Sequence, residues 1–216
     1  MEKSLFNIMH THTFTASIDY LFSGISQTLP FHTFGPAKRQ HYLIHIILSG
    51  QGVLFTENSQ YHLNAGDCFL IRPDGTNFYQ SDIKNPWTYA WLSFDGPEVK
   101  QIIESYSPFK NDHQIFHTEN LEAYLAIISQ TLQYTDGTPQ NELILNHLVD
   151  QFLLNLIQET VIPHENNHPA KGSTLAIKAR EYMDEHFDKG ITVSEVATAL
   201  NIDRSYLTRI FTNAWC

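Results

Sequence analysis

The chain has 216 residues, enough for one large domain or two small ones at roughly 150 residues per domain. Charged residues make up 17% of it and aromatics 12%. This composition, poorer in charge than the ~25% of ordinary soluble domains, excludes a disordered or low-complexity chain and predicts a well-filled globule. No apolar run approaches the ~20 residues of a membrane span, and the best, Tyr42 to Leu48, is broken by His45. Met1 to Asn7 lacks the apolar core of a signal peptide, and the two cysteines, Cys68 and Cys216, make no disulfide framework. A soluble, cytoplasmic protein with no membrane partner is expected.

The net charge of −10 is unevenly spread. Met1 to Ala170 carries 7 basic and 17 acidic residues, whereas Lys171 to Cys216 carries 6 of each. The stretch from Arg204 to Cys216 holds two arginines and no acid, which leaves it free to meet a polyanion.

From Arg39 to Phe94 the sequence reads as β. Tyr42 to Leu48 is a β-branched and aromatic run closed by Ser49-Gly50-Gln51-Gly52. Val53 to Thr56, Tyr61 to Leu63, Cys68 to Ile71, Phe78 to Gln80 and Trp87 to Phe94 follow, separated by turn residues such as Asn64-Ala65-Gly66-Asp67 and Arg72-Pro73-Asp74-Gly75. Short strands at this spacing indicate a sandwich or small barrel. A parallel α/β sheet is excluded, because no helix lies between them.

After Gly96 the apolar spacing becomes helical. It predicts helices over Pro97 to Tyr106, Asn120 to Tyr134 and Asn141 to Thr160. The third has a polar stripe through Glu142, Asn146, Asp150 and Asn155 and an apolar arc wide enough either for burial on two sides or for a dimer partner. Val161 to Thr174, with Pro163, Pro169 and Gly172, reads as a linker.

Thr174 to Phe187 is an amphipathic helix ended by Lys189-Gly190. Thr192 and Glu195 then form the T-x-x-E capping box of a second helix. Asn201-Ile202-Asp203 is a turn, and Asp203 is placed to cap a third helix from Arg204 to Asn213. Val196, Leu200, Ile202, Leu207, Ile210 and Phe211 supply a shared core, and Ala197 permits a close crossing, which is helix-turn-helix spacing. The last helix of such a motif enters the major groove. Its DNA-facing residues here are Arg204, Ser205, Tyr206, Thr208 and Arg209, arginines suiting guanine edges or phosphates and hydroxyls suiting phosphates.

The stretch Ile191 to Phe211 resembles the first helix-turn-helix of AraC-type transcriptional regulators. Gly35 to Gly52, Gly66 to Pro73 and Trp87 to Gly96 are similar to the sugar-binding cupin domain of the same family, most of all to its raffinose and multiple-sugar operon activators. The resemblance implies a mixed β and α fold: an N-terminal cupin-like β-barrel, a helical dimerisation segment, and a partial C-terminal helix-turn-helix. The divisions are 1–160, a linker at 161–173, and 174–216. The family carries two helix-turn-helix motifs, whereas the pattern here stops after Phe211, so operator binding by this chain is in doubt. Effector contacts are implied at Arg39, Tyr79, Tyr89 and Trp91, with the arm from Met1 to Leu21 as a lid. These residue types suit a sugar, since aromatic faces stack on its C–H surfaces and an arginine takes paired hydroxyls; Trp87, Tyr89 and Trp91 share one strand face. The implied partners are DNA, a sugar effector such as an α-galactoside, and a second copy of the chain.

The rival implied by a cupin is a metal-dependent enzyme, a sugar isomerase or dioxygenase. The only His-x-His, His10 and His12, lies in the arm. His41 and His45 share a strand face and His62 lies on a nearby strand, without the usual ligand spacing. Cys68 sits in an apolar strand and there is no G-x-S-x-G elbow. No catalytic residue, metal or cofactor is expected. A further rival is a fragment that dimerises and binds sugar but never binds DNA.

Overall fold

The computed structural model describes residues 3–9, 12–56, 59–159, 167–169, 173–187, 190–200, 202, 204, 205, 207, 208 and 211. Its strands are β1 (Lys3–Ile8), β2 (Asp19–Gln27), β3 (Thr33–Ala37), β4 (Tyr42–Ser49), β5 (Gln51–Phe55), β6 (Ser59–Asn64), β7 (Asp67–Ile71), β8 (Asn77–Ser81), β9 (Thr88–Asp95), β10 (Ile115–His117) and β11 (Asn167–Pro169). They form two antiparallel sheets, one ordered β1-β2-β9-β4-β7-β10 and the other β11-β6-β5-β8-β3. The facing sheets make the expected cupin-like barrel.

The β region starts well before Arg39. β2 contains Ser23, Gly24 and Ser26, which look like turn chemistry, yet both serines are buried and hydrogen-bonded: Ser23 to Tyr20 and Thr131, Ser26 to Ser4. Burial of a polar group is tolerated where its bonds are made. β3 and β11 contain Pro36 and Pro169 and lie at the two edges of their sheet, where a residue without an N–H costs no ladder bond. β11 falls inside the predicted linker, so part of that stretch is a strand paired with β6.

Three helices, α1 (Val99–Ser105), α2 (Leu121–Thr131) and α3 (Pro139–Gln158), cover the outer face of the six-stranded sheet. Alternation along the strands sends Ile44 and Ile46 of β4 and Ala90, Leu92 and Phe94 of β9 into one core with Tyr124 and Ile128 of α2 and Leu145, Val149, Phe152 and Leu156 of α3. Thr138 caps α3 by accepting from the Asn141 N–H at 3.2 Å, with Pro139 in its first turn.

The polar stripe expected on α3 is only partly a solvent face, Asp150 being exposed and Asn155 half-buried. Glu142 and Asn146 are buried, because they hold the segment between β1 and β2. Glu142 accepts from the Thr13 N–H (2.7 and 2.9 Å to its two oxygens) and the Phe14 N–H (3.1 Å), and Asn146 Oδ1 accepts from the Tyr20 N–H (2.9 Å). The exposed side carries Leu143, Leu154 and Ile157 beside His147 and Asp150.

The C-terminal helices are α4 (Ser173–Glu185) and α5 (Val193–Ala199), followed by helical residues at Arg204, Ser205, Leu207, Thr208 and Phe211. Both bonds of the Thr192–Glu195 capping box are made. Ala176, Ala179, Val196, Ala197 and Leu207 form a small separate core, with Leu200, Ile202 and Phe211 against it. Ile210 and the predicted cap Asp203 lie outside the described residues. The helical unit touches the barrel through α4: the Arg180 guanidinium lies 4.7 Å from the Phe78 ring centroid, and its Nη2 is 3.5 Å from Thr33 Oγ1.

Candidate functional site

The strand alternation that feeds the helical core leaves the opposite faces turned inward. On β4 these are Leu43, His45 and Ile47, and on β9 Tyr89 and Trp91. Strand register then sets the neighbours. His45 pairs with Phe69 on β7 and with Trp91 on β9, while Tyr79 on β8 pairs with Phe34 on β3. The His45 ring therefore stacks on Phe69 (4.5 Å between centroids, 7° between planes) and meets Tyr89 edge-on at 5.2 Å. Phe34 stacks on Tyr79 at 5.3 Å. Trp91 lies across Gly24 of β2, where a Cβ would run into the indole. Trp87, expected on the same face, is fully buried beneath this group against Phe69, Tyr79 and Tyr89.

These rings surround a cavity of about 350 Å³, within the ~300–1,000 Å³ of small-molecule sites. Arg39, Tyr79, Tyr89 and Trp91 all line it. So do Phe22, Ser26, Phe34, Leu43 and His45, and on the arm side Ser4, Phe6 and Ile8. β1 thus runs along the mouth, paired with β2. Asn7, on the other face of β1, donates to the Thr131 and Tyr134 carbonyls and ties the arm to the end of α2.

Arg39 is the one lysine or arginine lining the cavity among the described residues, and its guanidinium carbon lies 4.8 Å from the Phe34 ring centroid and 5.7 Å from that of Phe22. No carboxylate lines the cavity among the described residues. His45 Nε2 shares a hydrogen bond of 3.2 Å with the Tyr79 hydroxyl. Complete burial, assisted by the Arg39 charge, holds the His45 imidazole well below its ordinary pKa of 6.5, so the ring is neutral. Burial likewise pushes the Tyr79 phenol well above its ordinary range. Two buried polar atoms of lining residues, Arg39 Nε and His45 Nδ1, have no hydrogen-bond partner among the described residues.

The histidines weighed as a metal set are not brought together. His45 points inward on β4 and His41, just before that strand, meets the Phe22 ring edge-on at 5.2 Å, but His62 is exposed on the outer face of β6 beside Gln60. His10 lies outside the described residues, and His12 sits beside Glu142 and Asp19. Among the described residues no three His, Cys, Asp or Glu side chains converge on a metal position. Cys68 is buried on the helix-facing side of β7, away from the cavity, and its thiol pKa is pushed well up by burial.

At the C-terminus Arg204, Ser205 and Thr208 are helical and exposed, while Leu207 between them is buried in the small core. Tyr206 and Arg209 lie outside the described residues. No described helix is long and apolar enough to cross a membrane.

The family model for the AraC-like ligand binding domain matches residues 19–153, the span from β2 through most of α3. The chain belongs to this family. Its fold is accordingly the cupin-like barrel with attached helices described above. Family relatives include the Msm operon regulatory protein of Streptococcus mutans, 29% identical over 96% of this chain and 74% of that protein. The raffinose operon transcriptional regulatory protein RafR of Pediococcus pentosaceus is 28% identical over 88% of this chain and 70% of its own length. The lactose operon transcription activator of Staphylococcus xylosus is 25% identical over 87% and 67%.

His45, read from the sequence as a satisfied or surface histidine in preference to a metal ligand, is a lining residue of the cavity. Its signal was available in the alternation of Tyr42 to Ser49, which puts position 45 on the face opposite Ile44 and Ile46.

Proposed function

We propose that this chain is a sugar-responsive transcription regulator of carbohydrate-utilisation genes and not an enzyme. The observation that carries the reading is the aromatic cavity, whose flat faces and single arginine suit the C–H surfaces and paired hydroxyls of a sugar. The effector, an α-galactoside or related sugar, is held by Arg39, Tyr79, Tyr89 and Trp91. The names of the relatives, two of which specify the raffinose and lactose operons, support the same reading.

Residues 1–160 form the effector and dimerisation unit, 161–173 the linker, and 174–216 a first helix-turn-helix. That unit contacts DNA through Arg204, Ser205, Tyr206, Thr208 and Arg209, in the cytoplasm. Leu143, Leu154 and Ile157 on the exposed side of α3 supply the surface for a second copy of the chain.

A thermal-shift and calorimetric panel of galactose, melibiose, raffinose, arabinose, sucrose and lactose tests the reading. A sugar at one hundred times its Kd stabilises by ~2.7 kcal/mol, and Trp91→Ala removes that shift. A panel that leaves the midpoint unchanged rejects it. Gel shift with an operator fragment tests the DNA contact, and Arg204→Ala weakens it.

A further inference from the structure

The outer face of the five-stranded sheet holds two phenylalanines that solvent does not reach. Strand alternation turns Leu54 of β5 and Tyr79 of β8 inward, so Phe55 and Phe78, a cross-strand pair, face outward. Their rings lie 5.5 Å apart and are at most 1% exposed, with Val53 against them. Apolar side chains on the outside of a sheet stay buried only where another element covers them. α4 lies against β3 and β6 of this sheet. It sets the Arg180 guanidinium over Phe78, 4.7 Å from the ring centroid, with Nη2 3.5 Å from the Thr33 hydroxyl of β3. Asp184, one turn further along α4, lies 3.7 Å from Arg180 Nε on the same helix face.

The chain neighbours of these outward residues line the cavity. Thr33 precedes Phe34 and Phe78 precedes Tyr79. Phe34 and Tyr79 pair across β3 and β8 and stack at 5.3 Å on the inner face. β3 is an edge strand, paired among the described strands with β8 alone, and its register breaks between Phe34 and Ala37. A strand held by so few ladder bonds depends for its position on what packs against it.

We infer that the outer face of β3 and β8 is the docking surface of α4, and that Arg180 acts there as a positioning residue for the effector cavity, so that sugar binding and docking of the helical unit favour each other. The inference rests on the sugar reading above and adds a surface, a residue and a sign to it. Docking holds Thr33 and Phe78 from outside and thereby sets Phe34 and Tyr79 in the geometry that the sugar meets. A wall already in place spares the ligand the cost of ordering it. Linkage works in both directions by the same factor, so a sugar bound against that wall stabilises the docked helix. Arg180 is not among the residues lining the cavity and acts only through the strands. The arm strand β1 belongs to the other sheet, so this coupling does not pass through it.

The test titrates the full chain by calorimetry with the tightest binder among galactose, melibiose, raffinose, arabinose, sucrose and lactose. Arg180→Ala removes both contacts, Arg180→Lys keeps a cation near Phe78, and Thr33→Val removes the hydroxyl while keeping the shape. Affinity is expected to fall about fivefold in Arg180→Ala, less in Thr33→Val, and to recover in part in Arg180→Lys. Hydrogen exchange supplies the second readout: saturating sugar slows exchange in α4 of the unsubstituted chain, and does so far less in Arg180→Ala. A residue that merely stabilised α4 would leave the sugar affinity where it was. A chain that binds no sugar of the panel ends the sugar reading and this inference with it. Sugar binding with unchanged affinity in Arg180→Ala, or exchange in α4 that sugar leaves unchanged or speeds, overturns the inference and leaves the sugar reading standing. The exchange measurement on the unsubstituted chain decides the matter even where a substitution disturbs the fold.

Discussion

The two faces of the six-stranded sheet are built from alternate residues of the same strands and have opposite contents. The outer face, with Ile44, Ile46, Leu92 and Phe94, is roofed by three helices and carries apolar side chains in close contact. The inner face, with Leu43, His45, Tyr89 and Trp91, keeps a cavity of about 350 Å³ and two buried polar atoms without a partner among the described residues. Apolar contacts that fill space are worth most where no gap remains. The outer face therefore supplies stability, and the inner face gives part of it up by leaving that space open. The difference teaches that β4 and β9 are at once the spine of the core and the wall of the site.

The largest effect that sharpens this contrast is a truncation on the sealed face. Phe152→Ala, whose ring packs against Tyr124 and Phe94, is expected to cost ~3–5 kcal/mol in chemical denaturation. Trp91→Ala, half-buried at the cavity, is expected to cost much less stability while abolishing the sugar-dependent shift. Equal losses from the two would break the division between the faces.

Glu142→Ala ranks next. It leaves the Thr13 and Phe14 N–H groups without their acceptor, at ~1–3 kcal/mol, and is expected to raise hydrogen exchange in the segment entering β2. The same carboxylate gives a pH dependence. Burial alone would raise its pKa, but the bonds from Thr13 and Phe14, with His12 nearby, outweigh that and hold it below its ordinary 4.5. The unfolded chain then binds more protons below that value, so stability is present above about 4.5 and falls as the pH drops further. His45 and His41 act in a higher window, both held below 6.5 by burial, with Arg39 adding to it. A neutral histidine in the fold loses to a protonated one in the unfolded chain, so stability begins to fall below about 6.5. Stability profiles of the parent chain and of His45→Phe check this, the substitution flattening the upper window.

Gly24→Ala tests the cavity wall together with the β1 strand that lies against it. The added methyl meets the Trp91 indole and the Leu5 carbonyl, so the ring is displaced, and a shift of indole fluorescence with weakened sugar binding is expected. The smallest effect belongs to Arg180→Ala, which removes the contacts to Phe78 and Thr33. It is expected to change global stability by under ~1 kcal/mol while raising hydrogen exchange in α4 relative to the barrel.

The alternating runs from Tyr42 to Phe94 made the central strands legible, and the helical spacing made α2 and α3 legible, because in both the buried face is plainly apolar. β2 and the edge strands were hidden. Their serines, glycine and prolines are turn residues by local preference, and they are strands here only because hydrogen-bond partners from Ser4, Thr131, β6 and β8 reach them. Glu142 and Asn146 misled for the same reason, as polar residues whose partners are backbone N–H groups more than a hundred residues away.

The sequence by itself determined the antiparallel strands of a sandwich or small barrel, the helices that follow them, and the aromatic types that face inward. Those follow from alternation and turn chemistry, which are local. The tertiary structure decided that Arg39, Tyr79, Tyr89 and Trp91 share one cavity, that His62 faces outward, and that His45 stands among the rings. Register between strands distant in sequence sets these neighbours, and no local pattern encodes it.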